Sequence, residues 1–424
     1  MHGDKMFGEE ETIKLKVYKI PYKDRESLIF IPYLGKVYKV QNDNLSLIPE
    51  EIVYKKKILR SNNHKDILNL VLFLTNACNL QCVYCYGNYG AVSSSRSLSF
   101  DIVKTVLEYV FFNSDKNEIR ISYFGGEPTL RWNLVVAITY LSRSLAVKSG
   151  KKVTFGITTN GCFPEERVRW LVNNMDAIVI SIDGFKSIHD NQRSNSFDRV
   201  YKIAKLMYSF KECANKIRIR ITVSNQSVQY IPQIVEFFGK EFPESKQLYE
   251  PLSSLGRGEN NNIYTPPSPS MFFEKLLEAL PVAERLGCSI RTSIMRWRPY
   301  AEAYCGIVGA NLMITPEGKI IVCNRKANDN EESPFVIGRV NGKEKKLIFQ
   351  EEKIKGLQRF LTRNIPECQN CFAEFACKGD CPANKSAVNS ENFWQKPSYR
   401  CQEIREFIKK LLIFTIEHKR AILY

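Results

Sequence analysis

The sequence predicts an α/β chain: a partial, open (β/α)6 barrel, a small β-rich element before it and a cysteine-rich region after it. Three observations lead there. Between residues 68 and 252, short apolar runs alternate with amphipathic helical stretches. Some of those runs, such as Ala-Ile-Val-Ile-Ser-Ile at 177–182, are almost continuously apolar, which suits strands buried on both faces. Three of the 13 cysteines fall within residues 78–85, and seven more lie between 305 and 401.

The elements follow in chain order. β-rich runs at residues 13–20, 28–31 and 35–40 define an N-terminal element over residues 1–66, ending near Asn62 and Asn63. The barrel occupies residues 67–255. Its predicted strands are 69–74, 118–124, 152–158, 177–182, 216–223 and 247–250. Helical periods at 100–112, 133–147, 165–172, 198–210 and 231–239 lie between them. Strands followed by helical crossovers make a parallel sheet with right-handed connections, and the chain runs out before eight units. Residues 256–303 form a linker and a bridging helix: 255–270 read as linker from their Gly, Asn and Pro content, and a helix is predicted over 271–286. The cysteine-rich region spans 304–424 and closes with an amphipathic helix over 403–421.

Composition narrows the function. With 424 residues, 44% hydrophobic and 25% charged, the chain can bury its cores without disulfide staples. Residues 1–16 are polar and carry no signal-peptide pattern, and no run of about 18 apolar residues occurs. The expectation is a cytoplasmic chain with no membrane segment and reduced thiols, whose cysteines serve metal or redox chemistry. The net charge of +16 is scattered, with short clusters at 55–57 and 343–346. No basic stripe with interleaved aromatics suggests nucleic acid; an acidic partner is the alternative to a solvated surface.

The first thiol group is Cys78-Asn-Leu-Gln-Cys82-Val-Tyr-Cys85, directly after the first barrel strand. Three thiolates in eight residues can surround one corner of a metal cluster. They are one short of the four that saturate a [4Fe–4S] cube, so one iron stays open. Strand C-terminal ends are where barrel sites lie. Zinc would want a fourth Cys or His at matching spacing, and the next thiol downstream is Cys162.

This run, with Tyr84 before its last Cys, resembles the signature of radical S-adenosylmethionine enzymes. Motifs at successive strand ends agree: Phe124-Gly125-Gly126-Glu127-Pro128, Thr158-Thr159-Asn160-Gly161, Ser181-Ile182-Asp183-Gly184 and His189-Asp190-Asn191-Gln192-Arg193. The resemblance covers residues 68–252 and implies a TIM-like partial barrel. It also implies S-adenosylmethionine contacts at Tyr84, Gly125, Gly126, Glu127, Asn160, Ser181, Asp183, Arg193 and Tyr249. Tyr84 and Tyr249 would wall the adenosine, and the Gly-Gly-Glu motif would meet the amino group. Ser181 and Arg193 would contact the ribose and carboxylate. Glycines permit close backbone approach, and Arg can grip a carboxylate with two bonds.

The second thiol group reads Cys305-x12-Gly318-x4-Cys323, then Cys368-x2-Cys371-x5-Cys377-x3-Cys381, then Cys401. It resembles the seven-cysteine SPASM domain. Seven thiolates are too many for one cluster and one short of saturating two. By resemblance Cys305, Cys323 and Cys381 hold auxiliary cluster I, and Cys368, Cys371, Cys377 and Cys401 hold auxiliary cluster II. No extra Cys lies between 310 and 322, so the first has an open iron or a non-Cys ligand. The other reading is two zinc ribbons.

Of the remaining cysteines, Cys213 and Cys288 read as small core hydrophobes, while Cys162 follows a turn near the site. The four scattered His argue against His-based metal or triad chemistry, and His189 shapes a turn. The Met and aromatic residues read as core.

The resemblance implies an oxidoreductase with three [4Fe–4S] clusters that cleaves S-adenosylmethionine to a 5′-deoxyadenosyl radical. The radical takes hydrogen from a residue of a ribosomally made precursor peptide and leaves a thioether, C–C or C–O crosslink. Implied partners are that peptide with its leader, docked on the N-terminal element as an added strand, and a low-potential donor such as flavodoxin or ferredoxin. The anaerobic sulfatase maturase is the closest alternative. Its base is an Asp after the second SPASM cysteine; here that residue is Asn324, and Glu250 is the substitute candidate. A pyrroloquinoline- or mycofactocin-type maturase and a non-catalytic Fe–S electron carrier complete the set.

Overall fold

The computed structural model describes residues 10–57, 67–90, 95–213, 215–294, 303–308, 311–388 and 392–418. The predicted boundary at Asn62 and Asn63, and the last residues of the closing helix, lie outside these.

The N-terminal element is two small sheets. Strands β1 (Glu10–Lys16), β2 (Tyr18–Lys23), β3 (Glu26–Ile31), β4 (Lys36–Gln41) and β5 (Glu51–Lys57) pair as β1–β5 and as β2–β3–β4, all antiparallel. The run at 13–20, read as one strand, breaks at Val17, whose N–H turns to the carbonyl of Glu50 at 2.8 Å. Both faces of β3 are buried. Leu28 and Phe30 join the main core, while Ile31 packs with Leu15, Tyr33 and Phe375. The Tyr18 ring meets Phe372 edge-on at 6.2 Å. The element therefore rests on the cysteine-rich region.

The barrel chain runs β6 (Asn69–Thr75), α1 (Phe100–Asn113), β7 (Glu118–Gly125), α2 (Trp132–Ser149), β8 (Lys152–Thr159), α3 (Glu166–Asn174), β9 (Ala177–Ser181), α4 (Lys186–Gln192), α5 (Phe197–Tyr208), β10 (Ile217–Val223), α6 (Ile231–Glu241) and β11 (Lys246–Pro251). The six strands are parallel and adjacent in chain order. Local chemistry marks the helix ends. The Ser99 hydroxyl caps α1, accepting from Ile102 N at 3.3 Å, and Gly150 ends α2 at φ +67°. Along β9, Ile178 and Ile180 are fully buried, and truncating such a side chain to Ala costs about 2–5 kcal/mol.

Two further strands extend the parallel row. After α7 (Pro269–Arg285), β12 (Ser289–Arg291) pairs with β11. After Cys305, β13 (Asn311–Ile314) pairs with β6. Eight parallel strands thus stand side by side. The row continues antiparallel through β14 (Lys319–Ile321), β15 (Val336–Asn341) and β16 (Lys346–Phe349) and, among the described residues, does not close. Sequence reasoning ended the sheet at six strands because β12 and β13 are too short for periodicity to register. Their register comes from contact with β11 and β6; Asn69 Nδ2 donates to Asn311 Oδ1 at 2.9 Å.

The remaining chain is α8 (Glu351–Gly356), α9 (Glu374–Cys377), α10 (Pro382–Val388) and α11 (Cys401–His418) with irregular turns between. Phe407 of α11 stacks on Phe273 of α7 at 4.6 Å. Among the described residues no helix is long and apolar enough to cross a membrane.

Candidate active site

All six barrel strands point their C-terminal ends at the loop that leaves β6. Thr75 starts that loop, its Oγ1 accepting from Ala77 N at 3.0 Å and donating to the Arg96 carbonyl at 2.9 Å. The loop packs directly on the end of β7. A Cβ on Gly125 (φ +128°) would lie 2.3 Å from the Thr75 carbonyl oxygen, and one on Gly126 would lie 2.2 Å from that of Ala77. Both glycines also line the cavity, but the close approach that demands them is to the protein's own backbone.

The cavity, of about 110 Å³, is walled on one side by Cys78, Cys82 and Cys85. Strand ends supply the rest: Gly125 and Gly126 from β7, Thr159 and Asn160 from β8, Ser181 from β9, Arg220 and Thr222 from β10, Pro251 from β11. Tyr84, Tyr86 and Arg193 line it as well. Burial pushes the Cys78 thiol up to about 12 and the Cys82 thiol up to about 11, the latter against the pull of Arg193. Thiols in such surroundings ionise only when a metal supplies the compensating charge. Donors already face the sulfurs: Asn160 Nδ2 lies 3.7 Å from Cys78 Sγ, and Arg193 Nη1 lies 3.9 Å from Cys82 Sγ. Among the described residues no three Cys, His, Asp or Glu side chains close round a single ion. The three thiols instead line a cavity wall with N–H donors behind them, a donor set that fits an iron–sulfur cluster.

Two of the predicted contacts stand one layer behind the cavity. Asp183 is fully buried and accepts from Gln192 Nε2 at 2.9 Å, Thr222 N at 2.9 Å and the Tyr84 hydroxyl. Arg193 Nε lies 3.0 Å from its Oδ2, in ion-pair rather than hydrogen-bond alignment. Burial alone would raise the Asp183 carboxyl, yet Arg193 holds it below its ordinary value. Glu127 is likewise fully buried. One oxygen accepts from Thr129 N (3.0 Å), Thr129 Oγ1 (2.7 Å) and Thr159 Oγ1 (2.8 Å), the other from Asn160 N (2.7 Å). Its carboxylate braces β7 against β8.

Two candidates sit elsewhere. Tyr249 lies in the core, its hydroxyl donating to Gln247 Oε1 at 2.8 Å, and it does not line the cavity. Glu250 is buried and held by Ser293, whose N–H donates at 2.9 Å and whose hydroxyl donates as well. It too is outside the cavity. Conversely, Arg220, Arg257, Arg325 and Tyr86 line the cavity without having been singled out. Arg220 had a signal: a charged residue between the apolar Ile219 and Ile221 of a buried strand. Arg257 had none, because its segment reads as linker. It is ordered on the Cys loop, donating to the carbonyls of Cys82 and Tyr89, both at 2.8 Å.

The other thiols form two separate groups. Cys381 packs with Tyr304 and Ala383, against Cys305 and Cys323. Burial, then Cys381 and Cys305, push the Cys323 thiol far up. In the other group burial, then Cys371 and later Cys401, push Cys368 up to about 12, and Cys377 is raised by burial and by Asp380, Cys368 and Cys401. Tyr86 lies between the first two groups. Asn324, next to Cys323, donates to its hydroxyl at 3.3 Å; burial above all, with smaller contributions from Cys85 and Cys323, pushes that hydroxyl up to about 12. Cys213 and Cys288 are buried in the core, and the Cys162 N–H donates to Asn160 Oδ1 at 2.8 Å.

Residues 72–237 match the radical SAM superfamily, over the stretch that carries the three thiols and every strand-end motif. This is a radical SAM domain, and the chain is an enzyme of that kind. The cofactors the superfamily implies are a [4Fe–4S] cluster and S-adenosylmethionine. An uncharacterised protein of Methanocaldococcus jannaschii is 31% identical over 173 residues, covering 40% of this chain; the chain spans 57% of that relative's length. A cysteine-type anaerobic sulfatase-maturating enzyme of Clostridium novyi is 22% identical over 372 residues, covering 82% of this chain and 95% of that one. The crystal structure of Streptococcus suis SuiB bound to precursor peptide SuiA is 15% identical with a TM-score of 0.59, covering 91% of this chain and all of that one, a likeness of fold.

Proposed function

We propose that this enzyme is a radical SAM maturase that oxidatively crosslinks a residue of a ribosomally made precursor peptide, in the cytoplasm and at low oxygen. The observation that carries this reading is the approach of two thiol groups to one cavity: Cys78, Cys82 and Cys85 line it, and Asn324, next to Cys323, donates to the hydroxyl of the lining residue Tyr86. A [4Fe–4S] cluster on the first group, with S-adenosylmethionine, would supply the one-electron chemistry that generates a 5′-deoxyadenosyl radical.

The chain's own residues do the rest. Asp183 anchors Arg193 and Tyr84 against the cluster loop. Glu127 fixes the turn that presents Asn160. Ser181, Arg220 and Thr222 line the same cavity. Cys305, Cys323 and Cys381 would hold one auxiliary cluster and Cys368, Cys371, Cys377 and Cys401 another, giving a route or acceptor for the substrate's electrons, while a low-potential donor such as flavodoxin or ferredoxin would supply the electron for S-adenosylmethionine cleavage. Outer edges of the β1–β5 ribbon are unpaired among the described residues, which supports leader docking by strand addition on residues 1–66.

Anaerobic reconstitution is the test. Bound iron should reach about 8–12 per chain, if three clusters of four form. Reduction with S-adenosylmethionine should yield 5′-deoxyadenosine. Changing Cys78, Cys82 and Cys85 to Ala should abolish that product and leave the auxiliary iron. Cleavage that survives in the triple variant, or zinc in place of iron, overturns the proposal.

A second reading, oxidation of a Cys or Ser to formylglycine, is favoured by the similarity to sulfatase-maturating enzymes over most of the chain. Asn324 counts against it, since an amide cannot accept a proton as a carboxylate does. Incubation with a cysteine-containing sulfatase peptide and mass analysis for the aldehyde separates the two.

A further inference from the structure

A second cavity, of about 260 Å³, adjoins the first and shares three consecutive residues with it, Pro251, Leu252 and Ser253. One layer of backbone at the end of β11 separates the two. They differ in chemistry. The first presents thiols and arginines, while the second is lined chiefly by Pro266, Pro267, Pro269, Phe272, Phe273 and Tyr399. A buried water needs only about 10–15 Å³ of such space, so this one takes a group of many heavy atoms.

At the junction, Asn384 lines the second cavity and Arg325 the first. Asn384 Oδ1 accepts from Arg325 Nη1 at 2.5 Å and from Ser253 Oγ at 3.2 Å. That uses the amide's oxygen and leaves its NH2 donors without a partner among the described residues. Arg400, the one charged lining residue among the described residues, is bound with two bonds to Asp380, so its charge is spent inside the protein. The second cavity therefore offers an apolar, aromatic interior and one amide donor at the edge nearest the reacting space.

We infer that this cavity is a specificity subsite for a bulky apolar side chain, aromatic above all, on the peptide residue neighbouring the one that reacts. The inference rests on the peptide-maturase reading above. A peptide chain supplies both things the cavity asks for: a side chain for the apolar interior and a backbone carbonyl for the Asn384 NH2. Adjacent residues of an extended peptide lie about 3.3 Å apart along the chain, so a residue in the first cavity places its neighbour at the shared wall. Proline and aromatic rings present rigid faces, against which a Phe-sized side chain packs out of water.

Photolabelling of the reconstituted holoenzyme tests this with N-acetyl-4-benzoylphenylalaninamide as the probe. Mass analysis should place the label on residues of the second cavity. N-acetylphenylalaninamide should compete and N-acetylserinamide should not. Ser254 is exposed at the cavity's edge, and Ser254→Trp would fill it from the mouth. Labelling in S254W should fall about tenfold or more, the effect of losing one buried apolar side chain. Its iron content and 5′-deoxyadenosine formation should match the parent. Label scattered over the surface, equal competition by the serine amide, or undiminished labelling of S254W overturns the inference. Failure of 5′-deoxyadenosine formation in the parent protein would instead remove the functional reading, and is read separately on the same samples.

Discussion

Arg193 and Asp183 form an ion pair almost entirely out of water: Nε stands 3.0 Å from Oδ2, with side chains 6% and 0% exposed. The same guanidinium lies over the Tyr84 ring at 5.4 Å, and the Tyr84 hydroxyl donates to Asp183. Three residues from the cluster loop, the end of β9 and the end of α4 thereby become one unit. A buried pair of this kind adds little net stability but is costly to break.

Asp183→Asn should therefore destabilise the protein by about 3–5 kcal/mol, because it leaves Arg193 buried and unpaired. Chemical denaturation measures it. The double variant Asp183→Asn with Arg193→Met should be less destabilised than Asp183→Asn alone; an equal or larger loss would show that the charge pair is not the cause.

Stability should fall with acid through His189. This side chain is fully buried; its Nδ1 accepts from Asp183 N at 3.2 Å and its Nε2 meets Ser196 Oγ at 2.9 Å. Burial pushes it down to about 4, so the folded protein stays unprotonated where the unfolded chain takes up a proton. The unfolded state binds more protons between about pH 6.5 and 4, so stability is full above 6.5 and is lost as the pH falls through that window. The loss is about 3 kcal/mol, and melting curves of parent and His189→Gln should converge toward the lower pH.

Gly126→Ala tests the seating of the cluster loop. The new methyl would meet the Ala77 carbonyl oxygen at 2.2 Å, and backbone on both sides must move. Overpacking of this kind costs about 1–3 kcal/mol. The accompanying readout is S-adenosylmethionine cleavage, expected to fall well below the parent's while auxiliary iron stays bound.

Asp380 holds the last cysteine in place. Its carboxylate takes Arg400 Nε at 2.7 Å and Nη2 at 2.6 Å, tying the residue before Cys381 to the residue before Cys401. On the proposed reading of three clusters, Asp380→Asn should lose up to about two thirds of the bound iron, while the iron proposed for Cys78, Cys82 and Cys85 is retained. Iron analysis with spectroscopy of the reduced protein checks this; full retention of iron would show that the pair does not position those cysteines.

The barrel was legible because its strands and helices carry strong periods. Predicted strands at 118–124 and 152–158 differ from β7 and β8 by one residue at the C-terminal end. Three of the four motifs were legible because each follows a strand end; the fourth, His189–Arg193, lies on α4 and at its C-terminal end. What escaped lacks local pattern. The short β12 and β13 take their register from β11 and β6, and α4 is a seven-residue helix over a polar run. Tyr249 shows the opposite error: a tyrosine near a strand end reads as a cavity wall, but its side chain turns into the core.

Spacing along the chain marked the Cys78, Cys82, Cys85 run, and the resemblance to the seven-cysteine SPASM pattern divided the remaining thiols into seven and three. Strand order followed from the alternation of apolar runs, since a right-handed crossover leaves few choices. Only the tertiary structure could decide which side chains stand at the cavity and which stand behind it. Glu127 and Asp183 became braces, and Arg220, Arg257 and Arg325 became walls, because facing depends on the neighbouring strand and not on the residue's own sequence. The same holds for the apolar cavity beside the reacting one, built where the end of β11 meets α7 and the cysteine-rich region, segments brought together by packing alone.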